Sequence, residues 1–333
     1  VTRLGSSLCD VRIVLTAMHG VGGEVARQAL SLTGFNDVHV VEEQFAPNPD
    51  FPTVAFPNPE EPGALDLAIA LARDVNADLI LALDPDADRC AVAIPTGQGN
   101  WRQLSGDETG CLLGDYVAGR VEGGGVGPGV LASSIVSSRL LGAIAADHGL
   151  EHRTTLTGFK WIARVPDLVF GYEEAIGYCC DPAHVRDKDG ITAAVTMALL
   201  VDSLRIDGRT IQDVLDSFAD RFGLHATAPV TFRVEDVSLI SAAMQQLRST
   251  APTELAGSEV VSVIDLGEGY DGLPPTDGLM LFTAANDRVI IRPSGTEPKL
   301  KCYLEVILPG GTWEEARGRL DAIAGELRGI IGL

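Results

Sequence analysis

The aliphatic run Leu79-Ile80-Leu81-Ala82-Leu83 passes directly into Asp84-Pro85-Asp86-Ala87-Asp88-Arg89. A short apolar run bounded by polar residues predicts a buried strand, and Pro85 ends its pairing. Three carboxylates at i, i+2 and i+4 then fall on a loop at a strand end. Alternate side chains of an extended chain stand roughly 6.5 Å apart. Ligands held at about 2.0–2.1 Å from one Mg²⁺ nearly touch, so a cation-binding loop must curl, which small Ala87 permits. Three like charges need a counter-charge. A dication supplies it, and Arg89 is a candidate for a further one or for holding an anion. Asp84, Asp86 and Asp88 form an all-oxygen set without His or Cys, which points to Mg²⁺ over Zn²⁺. A solvated acidic turn is the competing reading, since Asp and Pro favour turns. An EF-hand is excluded, because its twelve-residue loop with Gly and a terminal Glu is absent.

The 333 residues suffice for two or three domains. No stretch resembles a signal peptide or reaches the 18 or so apolar residues of a membrane span. Six cysteines stand without metal-ligand spacing, which fits a reducing cytoplasm. The formal charge of −21 argues against nucleic acid and against an anionic membrane surface as partners. An anion site in such a chain must be locally basic. Only four lysines, Lys160, Lys188, Lys299 and Lys301, stand against 21 arginines, and all four lie in or beside the motifs described here. Compact ammonium donors suit those places, with chance the rival explanation.

Strand and helix patterns alternate along the chain, predicting an α/β architecture: consecutive three-layer domains, then a smaller α+β domain. The divisions expected are 1–101, 102–224 and 225–333. In the first, a strand near Val11–Leu15 meets Met18-His19-Gly20-Val21-Gly22-Gly23 and a helix over 24–32. Val25 occupies the third glycine position of a dinucleotide fingerprint, so no nucleotide site follows, and His19 reads as structural or interfacial. In the second, Ser105 or Asp107 caps a helix to Ala118, 131–136 is a strand, 138–148 a helix, and 154–161 a strand running into a loop. Leu168 to Tyr178 reads as a strand that ends in the paired carboxylates Glu173-Glu174 beside glycines. Carboxylates at a strand end suit sugar hydroxyls, because each accepts several hydrogen bonds, and a solvated turn is the alternative. In the third, a strand over 287–291 delivers Arg292-Pro293-Ser294-Gly295-Thr296-Glu297, the parts of a phosphate clamp. Lys299 and Lys301 straddle Leu300 and so share one strand face. Thr312 and Glu315 form a capping box before the helical stripe Trp313, Ala316, Leu320, Ile323, Leu327 and Ile330.

Met-His-Gly, Asp-x-Asp-x-Asp-Arg, Glu-Glu and Arg-x-Ser-Gly-Thr, in this order over essentially the whole chain, resemble the α-D-phosphohexomutase family, which contains phosphoglucomutases and phosphomannomutases. Tyr172-Glu173-Glu174-Ala175-Ile176-Gly177-Tyr178 and Thr157-Gly158-Phe159-Lys160-Trp161 are most similar to the branch that includes phosphopentomutases. The resemblance implies four domains, Mg²⁺ on Asp84, Asp86 and Asp88, and contact of Arg89 with the reacting phosphate. It implies substrate contacts from Thr157, Gly158, Glu173 and the Ala175 position, and support of binding and catalysis by Lys188. Arg292, Ser294, Gly295, Thr296 and Lys301 would grip the phosphate that does not react. Ala175 replaces a Ser common in relatives, which removes one sugar contact.

Nothing here matches the family's Thr-Ala-Ser-His-Asn-Pro-like phosphoserine loop. The chain is therefore similar to domains two to four of a larger mutase, with the N-terminal phosphoserine domain expected to be missing from these residues. The implied reaction moves a phosphoryl group between C1 and C6 of a hexose, or C5 of a pentose, through a phosphoserine and a sugar bisphosphate. The phosphorylated hexose or pentose would be the partner, and the chain alone is expected to be inactive. The competing expectation is a non-catalytic sugar-phosphate-binding fragment or partner subunit. A Mg²⁺-dependent phosphatase would need an Asp nucleophile in the Asp loop and leaves the sugar and phosphate loops unexplained.

Overall fold

The structure, a computed structural model, describes residues 10–122, 129–295 and 297–332. They form two compact units, the first within Val1–Ser134 and Leu141–Leu215, the second within Ile135–Leu140 and Asp216–Leu333. The architecture is mixed α/β, as expected.

The first unit holds two sheets. In one, Val38–Val40, Ile13–Thr16 and Leu79–Leu83 run parallel, and Cys90–Gly97 and Asn100–Gln103 extend the edge antiparallel. All residues of Ile13–Thr16 and Leu79–Leu83 are buried, which explains the unbroken apolar runs 13–15 and 79–83: strands covered on both faces do not alternate. In the other, Glu151–Thr155, Val130–Ser134 and Leu168–Glu173 are parallel and Gly177–Cys179 closes an antiparallel hairpin. The helix Gly190–Ile206 packs against strands of both sheets and against the helices Gly23–Leu32 and Gly106–Glu122. Its apolar residues therefore run all round it. Asp189 caps it by accepting from the Ile191 and Thr192 amides, which places Lys188 at its threshold.

The second unit is a six-stranded antiparallel sheet in the order Leu224–Arg233, Lys299–Leu308, Arg288–Pro293, Leu279–Thr283, Ser258–Asp265, Glu254–Leu255. The helices Ser238–Ser249 and Trp313–Ile331 bury Met244, Leu247, Ile323 and Leu327 with Leu281, Val289, Ile291 and Leu304 of the sheet. The capping box is formed: Thr312 Oγ1 accepts from Glu315 N at 3.2 Å, and Glu315 Oε2 accepts from Thr312 N at 2.7 Å. Thr312→Ala is expected to lower the unit's stability by about 1 kcal/mol in urea melts; an unchanged midpoint would show that the cap contributes nothing.

Four local expectations are corrected. The strand expected over 154–161 stops at Thr155, because Gly158 at φ 106° turns the chain into a short helix, Phe159–Ile162. The helix expected to end at Ala118 continues to Glu122. The helix expected from Ser138 begins at Leu140, because the Ser138 side chain is engaged within the second unit. Trp313 is 38% exposed, and the stripe's last buried position is Ile331, with Ile330 only partly covered. Trp313 occupies the first helical turn, and the i+4 step from Leu327 falls on Ile331.

Candidate functional site

The Asp loop curls as the metal reading requires. Ala87 adopts φ 61°, and its amide donates to the Asp84 carbonyl at 3.0 Å, closing a turn inside the motif. Carboxylate oxygens of Asp84, Asp86 and Asp88 all lie within 4.8 Å of one another. Opposite ligands on Mg²⁺ span roughly 4.2 Å, so small side-chain movements would let the three converge. Asp84 is fully buried, Asp88 half-buried and Asp86 exposed, leaving one open side. Arg89 Nε donates to Asp84 Oδ2 at 2.6 Å and stands 3.7 Å from Asp88 Oδ1, while Lys188 Nζ donates to Asp88 Oδ2. Burial pushes the Asp84 carboxyl up to about 6 despite Arg89 beside it. A dication answers that need for positive charge, and the hard oxygen donors fit Mg²⁺.

The paired glutamates occupy the hairpin between Leu168–Glu173 and Gly177–Cys179, with Ile176 at φ 54°. Glu173 Oε1 accepts from the Gly158 amide at 2.6 Å, joining the Thr157-Gly158 loop to the hairpin. Glu174 Oε2 accepts from Ser134 Oγ at 3.2 Å. Thr157, Glu173, Glu174 and Ala175 remain half-buried, and Ala175 presents only a methyl.

This hairpin is fastened to the Asp loop. Arg89 and Gly177 form an antiparallel bridge, and Cys90 N donates to the Ile176 carbonyl at 3.1 Å. Gly190 N donates to the Ala87 carbonyl at 3.0 Å, and a Cβ on Gly190 would lie 2.5 Å from the Arg89 carbonyl oxygen. Bare backbone is thus required where the helix meets the loop. The Asp loop, the Glu173 hairpin and Lys188 share one framework.

In the second unit Arg292, next to last in its strand, stands opposite Lys301 in the antiparallel register. Two cations directly opposite each other repel, and an anion between them removes that penalty. Ser294 N donates to the Lys299 carbonyl at 2.8 Å, and Gly295 is exposed at the turn. Lys299 donates to Glu297 Oε1 at 2.6 Å, which holds the Glu297 carboxyl below its usual range. Half-buried Lys301 shares the face of Lys299, as the spacing predicts, with its ammonium 5.9 Å from the Tyr303 ring. Thr296 lies outside the described residues.

Three features were missed by sequence reasoning. Ser134 is tied to Glu174, and Gly106 lies so close to the hairpin that an added Cβ would overlap the Glu174 carbonyl. Glu305, 1% exposed, is the centre of a buried ionic cluster in the second unit. A lone Glu in the apolar strand Tyr303-Leu304-Glu305-Val306-Ile307 was the available signal for the last. His19, read as structural or interfacial, is 3% exposed, and its Nε2 is hydrogen-bonded to Thr53 Oγ1 at 2.8 Å.

Comparison with known proteins matches residues 3–97 to "Phosphoglucomutase/phosphomannomutase, alpha/beta/alpha domain II", 105–222 to the corresponding domain III and 252–309 to the C-terminal domain. A probable phosphomannomutase of Haemophilus influenzae is 47% identical over 298 residues, covering 89% of this chain and 60% of the relative. A phosphopentomutase of Mus musculus is 36% identical over 349 residues, covering 95% of this chain and 56% of the relative. The chain thus spans less than two thirds of the length of these curated relatives. The fold also matches the open form of a Paramecium phosphoglucomutase, parafusin, at TM-score 0.72 and 19% identity, over 97% of this chain and 58% of the other.

Proposed function

Because the chain belongs to the phosphoglucomutase/phosphomannomutase family, we propose that it carries the metal, sugar and phosphate loops of a phosphosugar mutase. The observation that carries this reading is the joining of the Asp loop to the Glu173 hairpin by backbone hydrogen bonds, with the Lys188 ammonium on Asp88, within one unit.

In the proposed reaction a phosphoserine oxygen gives up its phosphoryl group to a hydroxyl of the sugar phosphate, forming a bisphosphate. The phosphoryl at the other end then returns to the serine, so bonds made and broken balance and the net change is C1 to C6, or C5 of a pentose. Mg²⁺ held by Asp84, Asp86 and Asp88 would neutralise charge on the transferring group. Arg89 leaves its carboxylates to contact that group, and Lys188 supports it from the helix threshold. Phosphoryl transfer is chiefly positioning and charge neutralisation, which these residues supply. Glu173, with Thr157 and Gly158 beside it, accepts from sugar hydroxyls. Arg292, Ser294, Gly295, Thr296 and Lys301 grip the phosphate that stays in place. Ala175 relaxes selection between hexose and pentose by offering no hydrogen bond. Domain limits near 101 and 224 follow the same reading, supported by the matches at 3–97 and 105–222. Five free thiols among the described residues fit a reducing cytoplasm, and none of the described helices is long and apolar enough to cross a membrane.

No serine loop of the family's kind occurs in these residues, so the 333-residue chain is expected to bind sugar phosphate without turning it over. A coupled mutase assay with glucose 1-phosphate, a sugar bisphosphate and Mg²⁺ tests this. Turnover at an ordinary rate would place a nucleophile within this chain. Arg292→Ala should weaken sugar-phosphate binding by more than about 1.5 kcal/mol, the low end for hydrogen bonds to charged groups; unchanged affinity would remove the clamp.

A further inference from the structure

We propose that the turn Met18–Gly22 is a platform that sets the curl of the Asp loop, with Gly20, Gly22 and the His19–Thr53 hydrogen bond as positioning elements for the metal ligands. The proposal rests on the metal reading of that loop.

The residues between the three carboxylates are Pro85 and Ala87, and each seats on a glycine of this turn. A Cβ on Gly20 would lie 2.4 Å from the Cα and the carbonyl oxygen of Pro85. One on Gly22 would lie 2.4 Å from Ala87 Cβ and 3.0 Å from Leu83 Cδ1. Val21 N donates to the Pro85 carbonyl at 2.9 Å, so the seat is bonded as well as close-packed. A shift of Pro85 moves Asp84 and Asp86 together, and a shift of Ala87 moves Asp86 and Asp88. The platform therefore bears on all three ligands through the residues between them.

The turn is held from its other side. Met18 and His19 stand at φ 47° and 60°, a conformation that non-glycine residues keep only where surroundings impose it. His19 N donates to the Gln44 carbonyl at 2.7 Å, and Asn48 N donates to the His19 carbonyl at 3.0 Å. The His19 ring meets Thr53 Oγ1, which also accepts from Gln44 Nε2 at 2.9 Å. Gln44, 1% exposed, accepts in turn from Thr16 Oγ1 at 2.6 Å, and Thr16 Oγ1 accepts from the Met18 amide at 3.1 Å. The crossing from Gln44 to Thr53 thus holds the left-handed turn that carries the metal loop.

The test is Mn²⁺ binding to the 333-residue chain, followed by loss of the free-ion electron paramagnetic resonance signal well below the melting temperature. Asp86→Asn, Gly20→Ala, Thr53→Val and Thr53→Ser are compared with the parent. Gly20→Ala is expected to weaken Mn²⁺ at least about tenfold, the scale of outer-sphere changes at metal sites. Thr53→Val should weaken it about threefold while the fold persists, and Thr53→Ser should restore it, since the hydroxyl is what matters. Should Gly20→Ala fail to fold, the Thr53 pair decides. Melting temperatures that fall with Mn²⁺ affinity unchanged would overturn the proposal and leave the metal reading standing. A parent and an Asp86→Asn chain that bind Mn²⁺ equally poorly would overturn both.

Discussion

Asp88→Asn is expected to weaken divalent-metal binding by more than about 100-fold. Partners outside the ligand shell are commonly worth 10–100-fold, so removal of a charged ligand should exceed that range. The substitution also ends the ion pair with Lys188, whose ammonium would then add uncompensated positive charge beside the incoming cation. Both changes act in the same direction. Calorimetric titration with Mg²⁺ reads the effect, and an affinity equal to the parent's would return the loop to an ordinary acidic turn.

Glu305→Gln should cost the second unit about 3–5 kcal/mol, the range for breaking a buried ion pair by removing one partner. Glu305 accepts from Arg139 Nε at 2.6 Å, from the Arg139 amide at 2.7 Å and from Ser138 Oγ at 2.8 Å. It also meets Arg288 Nη2 at 3.1 Å and His225 Nδ1 at 3.2 Å. Burial works to raise its carboxyl, but Arg288, the His225 hydrogen bond and Arg139 outweigh that and hold it well below the ordinary 4.5. A depressed carboxylate contributes stability that is complete above pH 4.5 and declines as acid approaches the folded value. The gap between parent and variant should therefore be widest near neutrality and shrink in strong acid. Hydrogen exchange at Arg288–Pro293 and Lys299–Leu308 follows this unit by itself. A gap that stays constant from neutral to strongly acidic pH would contradict the ionic account.

What could be read from residues alone was what local physics dictates. The doubly covered strand Leu79–Leu83 announces itself by an unbroken aliphatic run, the Thr312–Glu315 cap by its spacing, and the shared face of Lys299 and Lys301 by strand alternation. The loops proposed to carry the chemistry are also local, so Asp84, Asp86 and Asp88, Glu173 and Arg292 could each be named as candidates. What escaped depends on distant parts of the chain. Arg139 and Glu305 are 166 residues apart, and no pattern near either announces the other. Ile135–Leu140 joins the second unit while the residues on both sides join the first, which a reading by consecutive segments cannot anticipate. Gly106 and Gly190 open their helices, and each is a place where a neighbouring carbonyl leaves no room for a side chain, which nothing nearby in sequence announces.

The most direct test of the account is calorimetric titration of the 333-residue chain with glucose 1,6-bisphosphate, with and without Mg²⁺, repeated on Arg292→Ala and Asp88→Asn. The account predicts saturable binding that Mg²⁺ strengthens, weakened by the first substitution and made indifferent to Mg²⁺ by the second. Absence of binding to the folded parent chain, or binding that neither substitution alters, would contradict it.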